Sequence, residues 1–137
     1  TDLQVKLLND NIISPDQDIS FEISYNVNED IETYIAFSLT DIDRGIWIYN
    51  DNSMDNKTSG SGRKTLTYKC SLSHLNNIKL KLQVSVRDKD DQMIAFADSE
   101  NSPVILLNRT DIEDDDKSAK DSATGMVQRN GKWEIQE

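Results

Sequence analysis

The chain has 137 residues and a formal net charge of −10, which is the length of one domain and the wrong sign for a partner held by phosphate. Nucleic acid and anionic membrane surfaces would meet net repulsion, and no stretch approaches the ~20 apolar residues of a membrane-spanning helix. The single cysteine, Cys70, excludes an internal disulfide and a cysteine-built metal site, as in a reducing compartment.

Leu3, Val5 and Leu7 open the chain with a short alternating run. Ile19, Phe21, Ile23, Tyr25 and Val27, interleaved with Ser20, Glu22, Ser24 and Asn26, have the period of two that marks a strand with one buried face. After Asn28-Glu29-Asp30 a second strand runs from Tyr34 to Asp41, with Ile35, Phe37 and Leu39 on one side and Tyr34, Ala36, Ser38 and Thr40 on the other. Asp41-Ile42-Asp43-Arg44-Gly45 is turn chemistry, and 45–50 returns as the hairpin partner. Leu66, Tyr68, Cys70 and Leu72 form a further strand, and Ile78, Leu80, Leu82, Val84 and Val86 form the longest, alternating with Lys79, Lys81, Gln83, Ser85 and Arg87. Met93 to Ala97 and Val104 to Leu107 add two short apolar strands. Only Ser73 to Asn77 has room for a single helical turn. Short strands separated by turn signals predict an all-β fold, an antiparallel sandwich or barrel. Residues 108–124 are too polar to bury surface that offsets ordering, and are expected to form a connector. Residues 125–137 are expected to form a terminal strand or hairpin around Asn130-Gly131, placed to exchange between subunits of a homodimer. The start at Thr1, without an initiator Met or a charged-then-apolar leader, is expected of a piece without a signal peptide.

Several motifs resolve into bland readings. Gly60-Ser61-Gly62-Arg63-Lys64-Thr65 is not a phosphate loop, because Arg63 separates glycine from Lys-Thr and no strand-then-helix context surrounds it. The clusters Asp88, Asp90, Asp91 and Asp111, Glu113 to Asp116 match no calcium-loop spacing and read as solvated charge. His74 has no nucleophile beside it in any recognisable motif, and the sequons at Asn56 and Asn108 matter only in a secreted eukaryotic chain. No catalytic residue and no cofactor or metal is expected.

The aromatic residues carry more. If Ile46 and Ile48 face the core, Trp47 and Tyr49 stand on the opposite face, beside the small side chains of Ala36, Ser38 and Thr40. Sugars stack C–H faces on such rings and need polar partners for their hydroxyls, so this platform suits a saccharide. The reverse register, with Trp47 and Tyr49 in the core, is also open to the pattern, since large aromatics are more often structural and a slip of one residue reverses every side chain.

The runs Phe21-Glu22-Ile23-Ser24-Tyr25-Asn26-Val27-Asn28-Glu29-Asp30-Ile31-Glu32, Ala36-Phe37-Ser38-Leu39-Thr40-Asp41 and Gly45-Ile46-Trp47-Ile48-Tyr49-Asn50-Asp51-Asn52 resemble the C-terminal domain of Wzt. Wzt is the ATP-binding subunit of O-antigen polysaccharide ABC transporters. Leu82-Gln83-Val84-Ser85-Val86-Arg87-Asp88 and the terminal Gly125-Met126-Val127 with Trp133 are similar to the closing strands of that family. The likeness spans most of Phe21 to Glu137, departs at the glycine-poor Ser73 to Ile78, and does not include the ATPase half. It implies an immunoglobulin-like antiparallel β-sandwich over 1–137, with its C-terminal strand exchanged in a homodimer. It further implies a cytoplasmic, non-enzymatic module at the inner face of the inner membrane. Such a module recognises a bacterial O-antigen polysaccharide, at its chain terminus, before export. Its partners in the full-length protein would be an ATPase domain and a transmembrane transporter subunit. The residues expected to contact sugar are Tyr34, Trp47 and Tyr49 as stacking rings, with Ser38, Gln83, Ser85 and Arg87 meeting hydroxyls. The alternative from another class is an immunoglobulin-like structural or dimerisation module that binds protein. A glycoside hydrolase fragment would need paired carboxylates, and nothing favours one.

Overall fold

The structure is a computed structural model that describes residues 2–97, 102–109, 125–128 and 131–135. Among the described residues nine strands follow in order: β1 (Gln4–Leu7), β2 (Ile12–Ile13), β3 (Asp18–Val27), β4 (Thr33–Asp41), β5 (Ile46–Asn52), β6 (Gly62–Ser71), β7 (Ile78–Asp88), β8 (Met93–Phe96) and β9 (Val104–Leu107). A single 3-10 turn, Met54–Asn56, is the only helical element among the described residues. The Ser73 to Asn77 segment instead makes a tight turn, closed by the Leu75 amide donating to the Leu72 carbonyl at 3.1 Å.

The strands form a three-stranded sheet, β1-β3-β6, and a six-stranded sheet, β2-β9-β7-β4-β5, in which β8 also pairs with β7. The all-β sandwich expected from alternation is the fold observed. Its pairings are antiparallel except β2 beside β9, which run parallel among the described residues.

Each sheet is apolar on one face because its long strands alternate with a period of two. On β3 the residues Ile19, Phe21, Ile23, Tyr25 and Val27 are buried. They oppose Ile35, Phe37 and Leu39 of β4 and Leu80, Leu82, Val84 and Val86 of β7 in one continuous core. Phe37 ties the layers together: its ring meets Phe21 edge-on at 5.1 Å and Tyr68 at 4.8 Å, and stacks with Tyr49 at 6.0 Å. At one end the Tyr25, Thr33 and Thr58 hydroxyls close a triangle of 2.8, 3.1 and 3.0 Å, so the buried polar atoms there satisfy one another.

The β4–β5 turn is organised by Asp41, whose carboxylate lies in the core layer. Its Oδ1 accepts the amides of Asp43 and Arg44 at 2.9 and 3.1 Å, and its Oδ2 accepts Arg44 Nη1 at 2.6 Å. Gly45 closes the turn at φ +69°, where a side chain would be strained. Burial alone would push the Asp41 carboxyl up, but the Arg44 guanidinium and the two amides outweigh it and hold it below the ordinary carboxylate range. A depressed folded pKa gives stability that is present above about pH 4 and lost as pH falls through the folded value. Asp41→Asn is therefore expected to lower the unfolding free energy at pH 7 by about 1 kcal/mol, with a smaller difference at pH 3. Urea denaturation of both proteins at the two pH values checks this.

Candidate functional site

The outward face of the six-stranded sheet holds a trough of about 330 Å³. Register builds it in rows. Asn50 of β5, Ser38 of β4 and Gln83 of β7 lie side by side, and the next row is Asn52, Ala36, Ser85 and Phe96 of β8. Trp47 lies beside Thr40 and Lys81 at one end, and Tyr34, Arg87 and Met93 make the row at the other. The floor is small because Ala36, Ser38 and Ser85 occupy it. From β5 to β8 the trough crosses three strand spacings, roughly 14 Å.

Both walls are placed by bulges. On β5 the pairing slips between Leu39 and Thr40, so Leu39 opposes Tyr49 while Thr40 opposes Trp47, with Ile48 as the extra residue. The slip sends Trp47 outward, 74% exposed, and turns Tyr49 to the interior against Phe37. On β8 a second slip, between Val86 and Arg87, makes Ile94 the extra residue, so that Met93 and Phe96 both share the face of Arg87 and Ser85. Both are exposed apolar side chains lining the trough.

The seven residues expected to contact sugar separate accordingly. Ser38, Trp47, Gln83, Ser85 and Arg87 are brought together on the trough. Tyr49 is not on it, and the expected outward register is corrected at this position: its hydroxyl shares a 2.7 Å hydrogen bond with Tyr68, which donates in turn to Asp51. Burial and those two partners push the Tyr68 hydroxyl far above its ordinary range, so it stays protonated. Tyr34 keeps the outward face but is only 3% exposed, and its hydroxyl donates to Asp91 in the β7–β8 turn. It is not among the residues lining the trough and offers no free ring face. Asn50, Asp51, Asn52, Met93 and Phe96 also line the trough and were not anticipated as contacts. The Met93 to Ala97 run was readable as a strand, but the bulge that turns it is not.

Hydrogen bonding shows which groups remain available. Ser85 is engaged both ways, donating to the Ala36 carbonyl at 3.4 Å and accepting Arg87 Nε at 3.2 Å. Arg87 Nη1 reaches the Asp91 carbonyl and carboxylate, each at 3.3 Å. The Gln83 carbonyl accepts Thr40 at 3.4 Å, and the Asn52 carbonyl accepts the Met54 amide at 3.0 Å. The amide nitrogens of Gln83 and Asn52, the Asn50 amide, the Ser38 hydroxyl and Arg87 Nη2 have no partner among the described residues. Amides, a hydroxyl and one guanidinium nitrogen thus sit between apolar walls.

Other motifs stay apart from this face. The Gly60 loop leads into strand β6, with Lys64 Nζ donating to the Ser59 carbonyl at 2.9 Å. Asp88 caps its own turn through the Asp90 and Gln92 amides, both at 2.9 Å, whereas Asp111 to Asp116 lie outside the described residues. His74 is an exposed turn residue whose carbonyl accepts the Gln128 amide. Among the described residues no three His, Cys, Asp or Glu side chains converge, and no helix is long and apolar enough to cross a membrane.

The fold and the trough define a class: an all-β sandwich with an aromatic-edged polar recess on one outer sheet face. The C-terminal domain of Wzt has the same fold, its crystal structure superposing with a TM-score of 0.61 over 98% of this chain and 81% of that one, at 12% identity. The CARDB domain of PF1109 from Pyrococcus furiosus is also similar, with a TM-score of 0.44 over 79% of this chain and 94% of that one, at 12% identity. No protein-family model and no curated protein sequence matches the chain.

The two rings separated by the bulge should behave oppositely on substitution. Trp47→Ala is expected to leave the unfolding free energy within about 0.5 kcal/mol of the parent. Tyr49→Phe removes the bond to Tyr68 and is expected to cost about 1 kcal/mol. Chemical denaturation of the two variants checks the assignment.

Proposed function

We propose that this chain is a non-catalytic carbohydrate-binding module that recognises a bacterial O-antigen polysaccharide and selects it for ABC-transporter export. The observation that carries the reading is the trough itself. It sets Trp47 and Phe96 on opposite walls, with unpartnered amides and a hydroxyl between them. Apolar rings cover sugar C–H faces, and the amides meet hydroxyls in pairs. Arg87 is held by Asp91 at one end of the trough and the exposed Trp47 ring stands at the other, which supports a chain terminus entering past Trp47. Its lining holds one carboxylate, Asp51, which already accepts the Tyr68 hydroxyl, whereas glycoside hydrolysis uses two across the scissile bond.

The export role rests on the sequence resemblance to the Wzt domain together with the shared fold. In that role the module acts at the cytoplasmic face of the inner membrane, joined to an ATPase domain and working with a transmembrane subunit. Trp47→Ala is expected to weaken binding of the source strain's O-polysaccharide about tenfold or more, since one stacked ring contributes about 1 to 3 kcal/mol, by analogy with base stacking. Isothermal titration measures it, and an unchanged affinity would remove the trough as the site.

A second reading, assembly with a second copy, has its own observation. Residues 131–135 pair with no strand among the described residues, and Trp133 is 97% exposed with Ile135 two positions on. Residues 125–128 are tied to their own core by the Asn76 side chain, which donates to the Gly125 and Val127 carbonyls at 2.9 and 3.0 Å. The segment after them is what remains to reach a neighbour, and an indole buried there would remove about 150 to 250 Å² of ring from water. The expected result is a dimer in sedimentation that Trp133→Ser shifts to monomer.

A further inference from the structure

The charge arrangement around Arg87 goes one step beyond the carbohydrate reading, on which it rests. Arg87 and Asp51 are the charged residues lining the trough among those described. Three contacts fix the Arg87 guanidinium: Nε on Ser85 at 3.2 Å, and Nη1 on the Asp91 carbonyl and carboxylate at 3.3 Å each. Asp91 is itself held. Tyr34 donates to the same carboxylate oxygen, the Asp91 amide donates to the Asp88 carbonyl at 3.0 Å, and its backbone sits at φ +61°, which few side chains accept. Lys81 and Lys79, the other cations on this face of β7, stand six and eight residues along the strand, about 20 Å or more away and beyond the Debye length at physiological salt.

We propose that Asp91 is a positioning and specificity residue that makes the trough select neutral sugars: it cancels the charge of Arg87 and fixes the guanidinium so that Nη2 donates to ring hydroxyls. A carboxylate or phosphate on the glycan would find no uncompensated positive charge at Arg87 and would approach a chain of net charge −10. A hydroxyl accepts from a guanidinium without needing its charge. The Tyr34 hydrogen bond holds the Asp91 carboxyl below the ordinary carboxylate range, so it stays ionised and the compensation persists at neutral pH. The ion pair itself is exposed on the Asp91 side and adds little to stability, so its role is orientation.

The test is a glycan array of matched neutral and uronate-bearing oligosaccharides, read at low and high salt with the whole chain. The parent is expected to bind neutral members with an affinity that salt leaves unchanged. Asp91→Asn is expected to melt at the same temperature, lose about tenfold in affinity for those members, and gain salt-sensitive binding of their uronate partners. Arg87→Lys keeps the charge without the planar fork and is expected to lose neutral binding as well. A parent that prefers uronates, or an Asp91→Asn protein with unaltered preference and salt response, would overturn the inference while leaving the carbohydrate reading intact. Binding to no member by any form would overturn the carbohydrate reading and this inference with it.

Discussion

Phe37 points into the sandwich and meets the rings of Phe21, Tyr49 and Tyr68, and once that contact is made β4 can hold only one register. Aromatic pairs of this kind contribute about 0.5 to 1.5 kcal/mol each beyond the area they bury. A slip of one residue would forfeit all three and expose Ile35 and Leu39 as well. Because β4 lies between β5 and β7, its register decides what both neighbours show to solvent. The small outer floor of Ala36 and Ser38 is thus a by-product of a large residue between them on the inner face.

Two bulges then convert a flat sheet face into a recess. Strict alternation would give β5 an outer face carrying both Trp47 and Tyr49, a level platform with no wall. With Ile48 inserted, one ring is raised at the rim and the other is committed to the core. The corresponding insertion of Ile94 raises Met93 and Phe96 at the opposite rim, although they are three residues apart in sequence. The same local irregularity, used on both sides of β4 and β7, supplies two walls without a long loop. A recess made of paired strands is more rigid than one made of loops, which suits a ligand whose own flexibility must be lost on binding.

How much of this was legible in the chain follows from where the period of two is unbroken. From Ile19 to Val27 and from Ile78 to Val86 it is uninterrupted, and both strands and their buried faces are as the pattern predicts. The β4–β7 pairing is also continuous, so the outward positions of Ser38, Gln83, Ser85 and Arg87 could be read directly. Tyr49 was expected outward and is not, because a bulge leaves no mark in hydrophobic alternation and both registers of 46–49 were open. Tyr34 was placed on the correct face, but its burial depends on Asp91 in a turn 57 residues away. The two-residue parallel strand β2 has too few residues for any period to appear.

That short strand has a consequence for how the domain is made. Ile12 and Ile13 pair with Leu106 and Leu107, and β9 stands between them and β7. The outer edge of the larger sheet therefore cannot be completed until residue 107 has been synthesised. At a ribosomal rate of about 5 to 20 residues per second, β2 waits roughly 5 to 20 s for its partner. Apart from the β4–β5 and β7–β8 hairpins, the pairings that build both sheets join segments distant in sequence, the class of topology that folds in milliseconds to seconds. The nascent chain thus carries an unpaired apolar edge for longer than the sandwich needs to close, and that interval is when aggregation and chaperones compete for it.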